Sequence, residues 1–378
     1  MFVLLQLTSV AWAIATGPLS LLLLFVATTW TGRTFAVAAI LISFLPLFAT
    51  LGKPVSCQRR RPIAIIGALT ALVLSVALFF KAPSGNADEH ATVRHVYADG
   101  GNHFRRFALG NVLPESDQTA IGFTLVPAVD SIFTRQQSVA LKGWTSGIYR
   151  ELESDADFHA LGSVLPDVYD DLWNLKFDRG HSFLYIPPGA DRSKPLPALL
   201  FFHGSGGNYK AYLWLLSRVA QRMNFVVIAP SYGLGNWRTA DVEKIADAAI
   251  TACSAEVRID RENLHAMGLS NGGLAVSQLL STSHPKFRSY FFLSPVFDVD
   301  RIESLRNTNP SSAPTVFVLT GSRDDRVPLS YVRNMTELLS LKGTHAVLKE
   351  LDADHFAFFS HREQVLSTLE DWLRDRSK

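Results

Sequence analysis

The chain has 378 residues, with 36 Lys and Arg against 34 Asp and Glu, a formal charge of +2. That near balance, with no basic stripe interleaved with aromatics, argues against a nucleic-acid binder. Two cysteines, Cys57 and Cys253, are too few for a disulfide-stapled scaffold, so an exported domain of this chain relies on its core.

Composition changes sharply along the chain. Residues 1–32, 34–52 and 62–80 carry no charge. Each run approaches the roughly 20 apolar residues that a helix needs to cross a bilayer. We read three spans, Phe2 to Thr28, Phe35 to Leu51 and Ile63 to Phe80, with Gly17-Pro18 and Pro46 as places for a kink. A cleaved signal peptide would want a basic n-region, and Met1-Phe2-Val3-Leu4 has none. The expected anchor is therefore residues 1–80, an integral membrane segment in contact with the lipid bilayer. Lys53, Arg59, Arg60 and Arg61 lie between spans two and three, whereas Arg33 alone lies between one and two. The positive-inside rule then puts the N-terminus in the cytoplasm and everything after Phe80 on the far side. In a bacterium that is the periplasm or the exterior of the inner membrane. Cys57 and Cys253 fall on opposite sides and cannot pair within the chain.

Residues 81–105 are polar and read as a juxtamembrane linker. Asp88, Glu89, His90, His95, Asp99 and His103 make a metal site conceivable there, but their spacing matches no ligand motif, and a solvated tether is the plainer reading. Residues 106–178 form an extension without an assigned role, expected to pack on the domain that follows. Ala120 to Val129 is apolar, Ser131 to Arg150 has amphipathic helical spacing, and Glu151 to Leu175 is acidic and aromatic, with Phe158, Tyr169 and Trp173.

From 179 to 378, strand-like and helix-like runs alternate. Strands are expected at His181 to Ile186, Ala198 to Phe202, Phe225 to Ala229, Leu264 to Met267, Tyr290 to Leu293, Thr315 to Leu319 and Ala346 to Leu348. Helices are expected at Tyr209 to Met223, Ala240 to Cys253, Gly272 to Leu280, Leu329 to Leu341 and Glu363 to Leu373. The pattern predicts an α/β fold, a mostly parallel sheet with helices on both faces. Active sites of such sheets lie at the carboxyl ends of the strands.

Three motifs fall at those ends. Gly268-Leu269-Ser270-Asn271-Gly272 has the G-x-S-x-G form of a nucleophile elbow, a sharp strand-to-helix turn that lifts a serine clear of the sheet. His203-Gly204-Ser205-Gly206-Gly207 follows the first buried strand. Glycines there let backbone N–H groups approach an oxyanion, with Asn271 and Ser205 as donors and Gly206 as the alternative second one. A phosphate loop would want a Lys followed by Ser or Thr, which is missing. Gly321 to Pro328 offers Asp324 as the triad acid, with Asp325 and Asp298 as rivals whose plainer role is a turn or helix cap. His355, in Asp352-Ala353-Asp354-His355-Phe356, is placed to take and return the serine proton. His265, inside the strand before the elbow, reads as structural. Tyr232, Trp237 and Arg238 follow a strand end and are candidate substrate contacts, with packing the equal alternative.

These motifs resemble the α/β-hydrolases. Gly268 to Gly273, His203 to Asn208 and the Gly321 to Pro328 turn are similar to the polyhydroxybutyrate depolymerase and feruloyl esterase group, and more loosely to dienelactone hydrolases. The resemblance covers about 180–378. It implies hydrolysis of small-molecule or polymeric esters through an acyl-serine, without cofactor or metal. The secreted depolymerases usually carry disulfides and no multispan anchor, and this chain reverses both. Only about twenty residues separate Leu293 from Thr315, little room for a large lid. A peptidase or acyltransferase would use the same constellation. A membrane-bound module without turnover is the reading from a different class.

Overall fold

A computed structural model describes residues 2–52, 54–85, 91–172, 180–282, 286–305 and 314–376. The chain divides into two compact units. One comprises Met1–Pro83 with Arg105–Ser146, the other Ser84–Phe104 with Gly147–Lys378.

The first unit holds α1 (Phe2–Val26), α2 (Trp30–Thr50) and α3 (Pro54–Lys81). All three are long and apolar enough to cross a membrane. Most of their large apolar side chains face outward, among them Leu4, Leu7, Phe25, Ile65 and Phe80. Small polar residues lie where α1 meets α2: Ser20 Oγ is 3.3 Å from Ser43 Oγ. At one end Gln6 Nε2 donates to the Thr50 carbonyl at 2.6 Å. Beyond these helices come α4 (Leu109–Val112) and α5 (Glu115–Leu125). Fully buried Asp117 of α5 accepts from Thr28 N at 2.6 Å, Thr29 N at 3.1 Å and Thr29 Oγ at 2.6 Å. Thr29 Oγ in turn caps α2 by accepting from Gly32 N at 2.9 Å. A carboxylate there is favoured by the unpaired N–H groups and positive end of α2. Leu113 and Ile121 pack on Leu23, Ala27 and Ala36, and Val112 packs on Leu78 and Ala82. The described part of α6 (Arg135–Leu152) spans the division between the units.

The second unit is built on one eight-stranded sheet: β1 (Val93–Tyr97), β2 (His181–Tyr185), β3 (Leu196–Phe202), β4 (Val226–Pro230), β5 (Ile259–Leu269), β6 (Ser289–Leu293), β7 (Thr315–Gly321) and β8 (His345–Leu351). Their order is β1-β2-β4-β3-β5-β6-β7-β8. β2 is antiparallel to both neighbours, and every pairing from β4 to β8 is parallel. This is the strand order of the α/β-hydrolase fold, which the chain therefore has. The helices in this unit are α7 (Ala156–Leu161), α8 (Leu165–Leu172), α9 (Lys210–Met223), α10 (Val242–Ser254), α11 (Gly272–Leu280), α12 (Val299–Glu303), α13 (Leu329–Leu341), α14 (Ala357–Ser360) and α15 (Arg362–Arg376). Successive side chains of a strand point to opposite faces, and both faces here are covered. Leu199 and Phe201 join Met267, Phe291 and residues of α9 and α15 on one side. Leu200 and Phe202 join Ala266, Phe292 and residues of α10, α11 and α13 on the other. Burial on both faces is why the central strands read as continuous apolar runs.

Two expectations for the N-terminal half change. The stretch 81–105 is not simply a tether: Val93–Tyr97 is the edge strand β1, paired in register from Val93↔Tyr185 to Tyr97↔His181. The stretch 106–178 does not behave as one extension of the catalytic domain, because 105–146 clusters with the long helices and 147 onward with the sheet. The apolar side chains of α4 and α5 find their cover at the ends of α1 to α3. Asp88, Glu89, His90 and Trp173 lie outside the described residues, as does much of the segment between Leu293 and Thr315.

Candidate active site

β5 ends in the turn that carries Ser270. Its backbone has φ = +51°, a left-handed conformation rare for a residue with a side chain. The turn is held from three sides. Ser270 N donates to the Leu293 carbonyl at 2.9 Å, and the Ser270 carbonyl accepts from Gly273 N at 2.9 Å and Val296 N at 3.0 Å. Gly272 is required at this crossing, because a Cβ there would run into the Phe202 carbonyl at the end of β3. The sharp turn leaves Ser270 half-buried while the strand behind it is buried.

The structure brings Ser270, Asp324 and His355 together from three strand ends. His355 Nε2 lies 2.9 Å from Ser270 Oγ, and His355 Nδ1 lies 2.8 Å from Asp324 Oδ2. The Asp324 side chain is completely buried. Its other oxygen accepts from Arg326 N at 2.9 Å and Val327 N at 2.8 Å. A carboxylate with both oxygens occupied cannot rotate freely, so the imidazole it holds is fixed in tautomer and orientation. Of the rivals, Asp325 is exposed, and Asp298 caps α12 by accepting from Arg301 N at 3.3 Å.

The glycine loop after β3 closes on the elbow. A Cβ added to Gly204 would lie 3.3 Å from Ser270 Cβ. Asn271 Nδ2 donates to Ser205 Oγ at 2.7 Å, linking loop and elbow directly. Gly206 N is spent on the Leu234 carbonyl at 2.9 Å, whereas the amides of Ser205 and Asn271 bond to no backbone carbonyl among the described residues. Of the expected oxyanion donors, Ser205 and Asn271 thus keep their N–H groups available, and Gly206 does not.

Trp237 is not on the surface. It is completely buried, its ring packs edge-on to Phe202 at 5.3 Å, and its Nε1 donates to the His203 carbonyl at 2.8 Å. An aromatic with its one polar atom bonded to backbone is a structural prop. Tyr232, half-buried, stacks on Trp237 at 5.5 Å, and Arg238 is exposed. Sequence reasoning passed over His203. Its Nε2 accepts from Tyr232 N at 3.2 Å, so this imidazole ties the Tyr232 loop to the glycine loop. Its place at the head of the glycine motif was the available signal. His265 is structural, as expected. Nδ1 lies 2.6 Å from Ser289 Oγ, and burial, with Arg288 nearby, pulls its pKa down to about 4.

No family model matches the chain. Over 157 residues, 37% of this chain, it is 22% identical to dipeptidyl-peptidase 5 of Porphyromonas gingivalis, and it spans 23% of that curated relative's length. Among solved structures, esterase 2 of Thermogutta terrifontis phosphorylated by paraoxon is similar at 17% identity and a TM-score of 0.44, over 52% of this chain and 89% of that one. A fungal esterase from Rhizomucor miehei is similar at 15% identity and a TM-score of 0.42, over 52% and 79%. The fold assignment rests on strand order and pairing rather than on these similarities.

Proposed function

We propose that the chain is a membrane-anchored serine hydrolase that cleaves carboxylic esters. The observation that carries this reading is the continuous hydrogen-bonded line from Asp324 through His355 to Ser270 at a left-handed elbow. Ser270 Oγ attacks the ester carbonyl carbon while His355 Nε2 takes its proton. Negative charge moves to the carbonyl oxygen, where the N–H groups of Asn271 and Ser205 receive it. The tetrahedral intermediate collapses, the C–O bond breaks, and His355 gives the proton to the leaving alcohol. Water then attacks the acyl-serine with His355 again as base, releasing the acid and restoring Ser270. Asp324 orients His355 and stabilises the imidazolium that forms.

α1 to α3 form the anchor in this reading, with Arg59 to Arg61 cytoplasmic and the sheet-bearing unit on the opposite side. Within the first unit, α4 and α5 pack on the α1–α2 turn and on the end of α3, as this reading expects. Cleavage of peptides is the second reading, favoured by the similarity to a dipeptidyl-peptidase.

Fluorophosphonate labelling of the detergent-solubilised chain tests the nucleophile. The label should map to Ser270 and vanish in Ser270→Ala, with ester turnover falling by about 10³-fold or more. A folded protein that takes no label, or a Ser270→Ala variant that retains turnover, overturns the proposal. Parallel assays with esters and dipeptidyl amides separate the two substrate readings.

A further inference from the structure

We propose that His95, Asp167 and His181 form a binding site for a divalent transition-metal ion, zinc by donor type, that braces the glycine loop of the active site. The three residues come from β1, α8 and β2, and all are buried. One donor atom from each lies within 4.8 Å of the others. His95 Nε2 and Asp167 Oδ2 are 3.9 Å apart. Ligands of a tetrahedral zinc site at about 2.0–2.2 Å from the metal stand roughly 3.3–3.6 Å apart, so small side-chain rotations close the cluster.

The hydrogen bonds around the cluster already orient a ligand. Tyr97 Oη donates its one proton to Asp167 Oδ2 at 3.0 Å. His95 Nδ1, 3.3 Å from the same hydroxyl, must then be the donor of that pair. The second ring nitrogen is left with a bare lone pair. That atom, His95 Nε2, is buried and has no hydrogen-bond partner among the described residues, on a side chain only 2% exposed. An imidazole that gives one N–H to an outer partner and aims the other nitrogen into a His/Asp cluster has the arrangement of a metal ligand. A fully satisfied core histidine would not leave that nitrogen unpaired, which is costly in the interior. Two nitrogens and one oxygen suit zinc rather than calcium or magnesium, which prefer oxygen donors.

The location gives the ion a task. β2 begins where β4 ends, Ser182 pairing with Pro230, so the cluster sits at the carboxyl edge of the parallel strands. The His181 carbonyl accepts from Ser231 N at 2.9 Å, and Asn208 Nδ2 donates to Ser231 Oγ at 3.0 Å. Asn208 directly follows the glycine loop. On α8, Val168 adjoins Asp167 and stands 3.5 Å from where a Cβ on Gly207 would be. An ion joining β1, α8 and β2 therefore fixes the surfaces that back the loop. These are positioning residues and take no part in bond making.

The test uses the full untagged chain in detergent, stripped with dipicolinate and titrated with Zn²⁺ or Co²⁺. Wild type should retain a single equivalent by mass spectrometry of the metal, with higher thermal stability and a Co²⁺ spectrum of mixed nitrogen and oxygen ligation. Asp167→Asn and His181→Gln should weaken binding by at least about 10-fold, while His103→Ala, next to the cluster, should keep it. Failure of wild type to bind, or undiminished binding in both folded variants, overturns the proposal. Should the variants not fold, X-ray absorption of the zinc-loaded wild type decides: two imidazoles support the site, and none refutes it. Neither result depends on what Ser270 hydrolyses.

Discussion

Two histidine–carboxylate clusters stand on the same edge of one sheet and differ in how their imidazoles are used. At His355 both ring nitrogens are engaged, one by Asp324 and one by Ser270. At His95 one nitrogen is engaged and the other is not. The first cluster ends in a half-buried hydroxyl, whereas all three residues of the second are buried. The difference is one of access. A proton relay needs an outlet to substrate, and a structural ion site needs a dry enclosure with spare lone pairs. The same residue types at the same sheet edge are thus sorted by what terminates the hydrogen-bond chain.

The largest expected effect lies in exchanging the carboxylates for amides. Asp324→Asn should lower kcat by about 10³–10⁴-fold with little change in thermal stability, because the amide presents the wrong partner to His355 Nδ1. Asp167→Asn should leave the chemical step within roughly 10-fold and act mainly on stability and metal retention. Steady-state kinetics with a chromogenic ester, alongside thermal unfolding, reads both. A kcat loss of equal size in the two variants would erase the distinction between the clusters. Asp298→Asn and Asp325→Asn serve as controls and should stay within a few-fold of wild type.

A smaller effect tests what holds the catalytic loop from its other side. Trp237→Ala removes a buried ring from Phe202 and a donor from the His203 carbonyl. It should cost about 3–5 kcal/mol of stability. Urea unfolding measures it. A loss confined to KM, with stability intact, would restore Trp237 to the substrate surface and contradict its burial.

The sheet was legible in the sequence because its central strands are buried on both faces and read as apolar runs between turns. The helix boundaries at Gly272 to Leu280 and Leu329 to Leu341 coincide with those observed. Ser270 and Asp324 could be picked out because each follows such a run, and His355 because it follows the short apolar stretch Ala346 to Leu348 of the edge strand β8. β1 was not legible, and its composition explains why. Its inward positions are Val93, His95 and Tyr97, while Arg94 and Val96 are only partly buried. A polar ring on the inner face breaks the alternation by which strands are recognised, and that ring belongs to the second cluster. Trp237 stayed ambiguous between substrate contact and packing for the converse reason. A strand-end loop gives no sign in sequence that one of its aromatics turns inward to support the preceding strand.

The smallest effect concerns a third histidine, which has no carboxylate partner among the described residues. His265 is buried in β5 against Trp372, at 5.7 Å between ring centroids, and beside Ser289. Burial, aided by the charge of Arg288, lowers its pKa from 6.5 to about 4 in the folded chain. Between those values the unfolded chain binds a proton that the folded chain refuses. Stability is therefore full above about pH 6.5 and declines as pH falls toward 4, by at most roughly 1.4 kcal/mol per pH unit from this group. His265→Gln should lessen that slope without removing it, since His95, whose pKa burial also lowers, adds its own. Unfolding midpoints of wild type and variant from pH 7 to 4.5 give the difference. Parallel curves would mean that His265 is protonated in the folded state, and that a histidine in this sheet needs no neighbouring carboxylate to hold its charge.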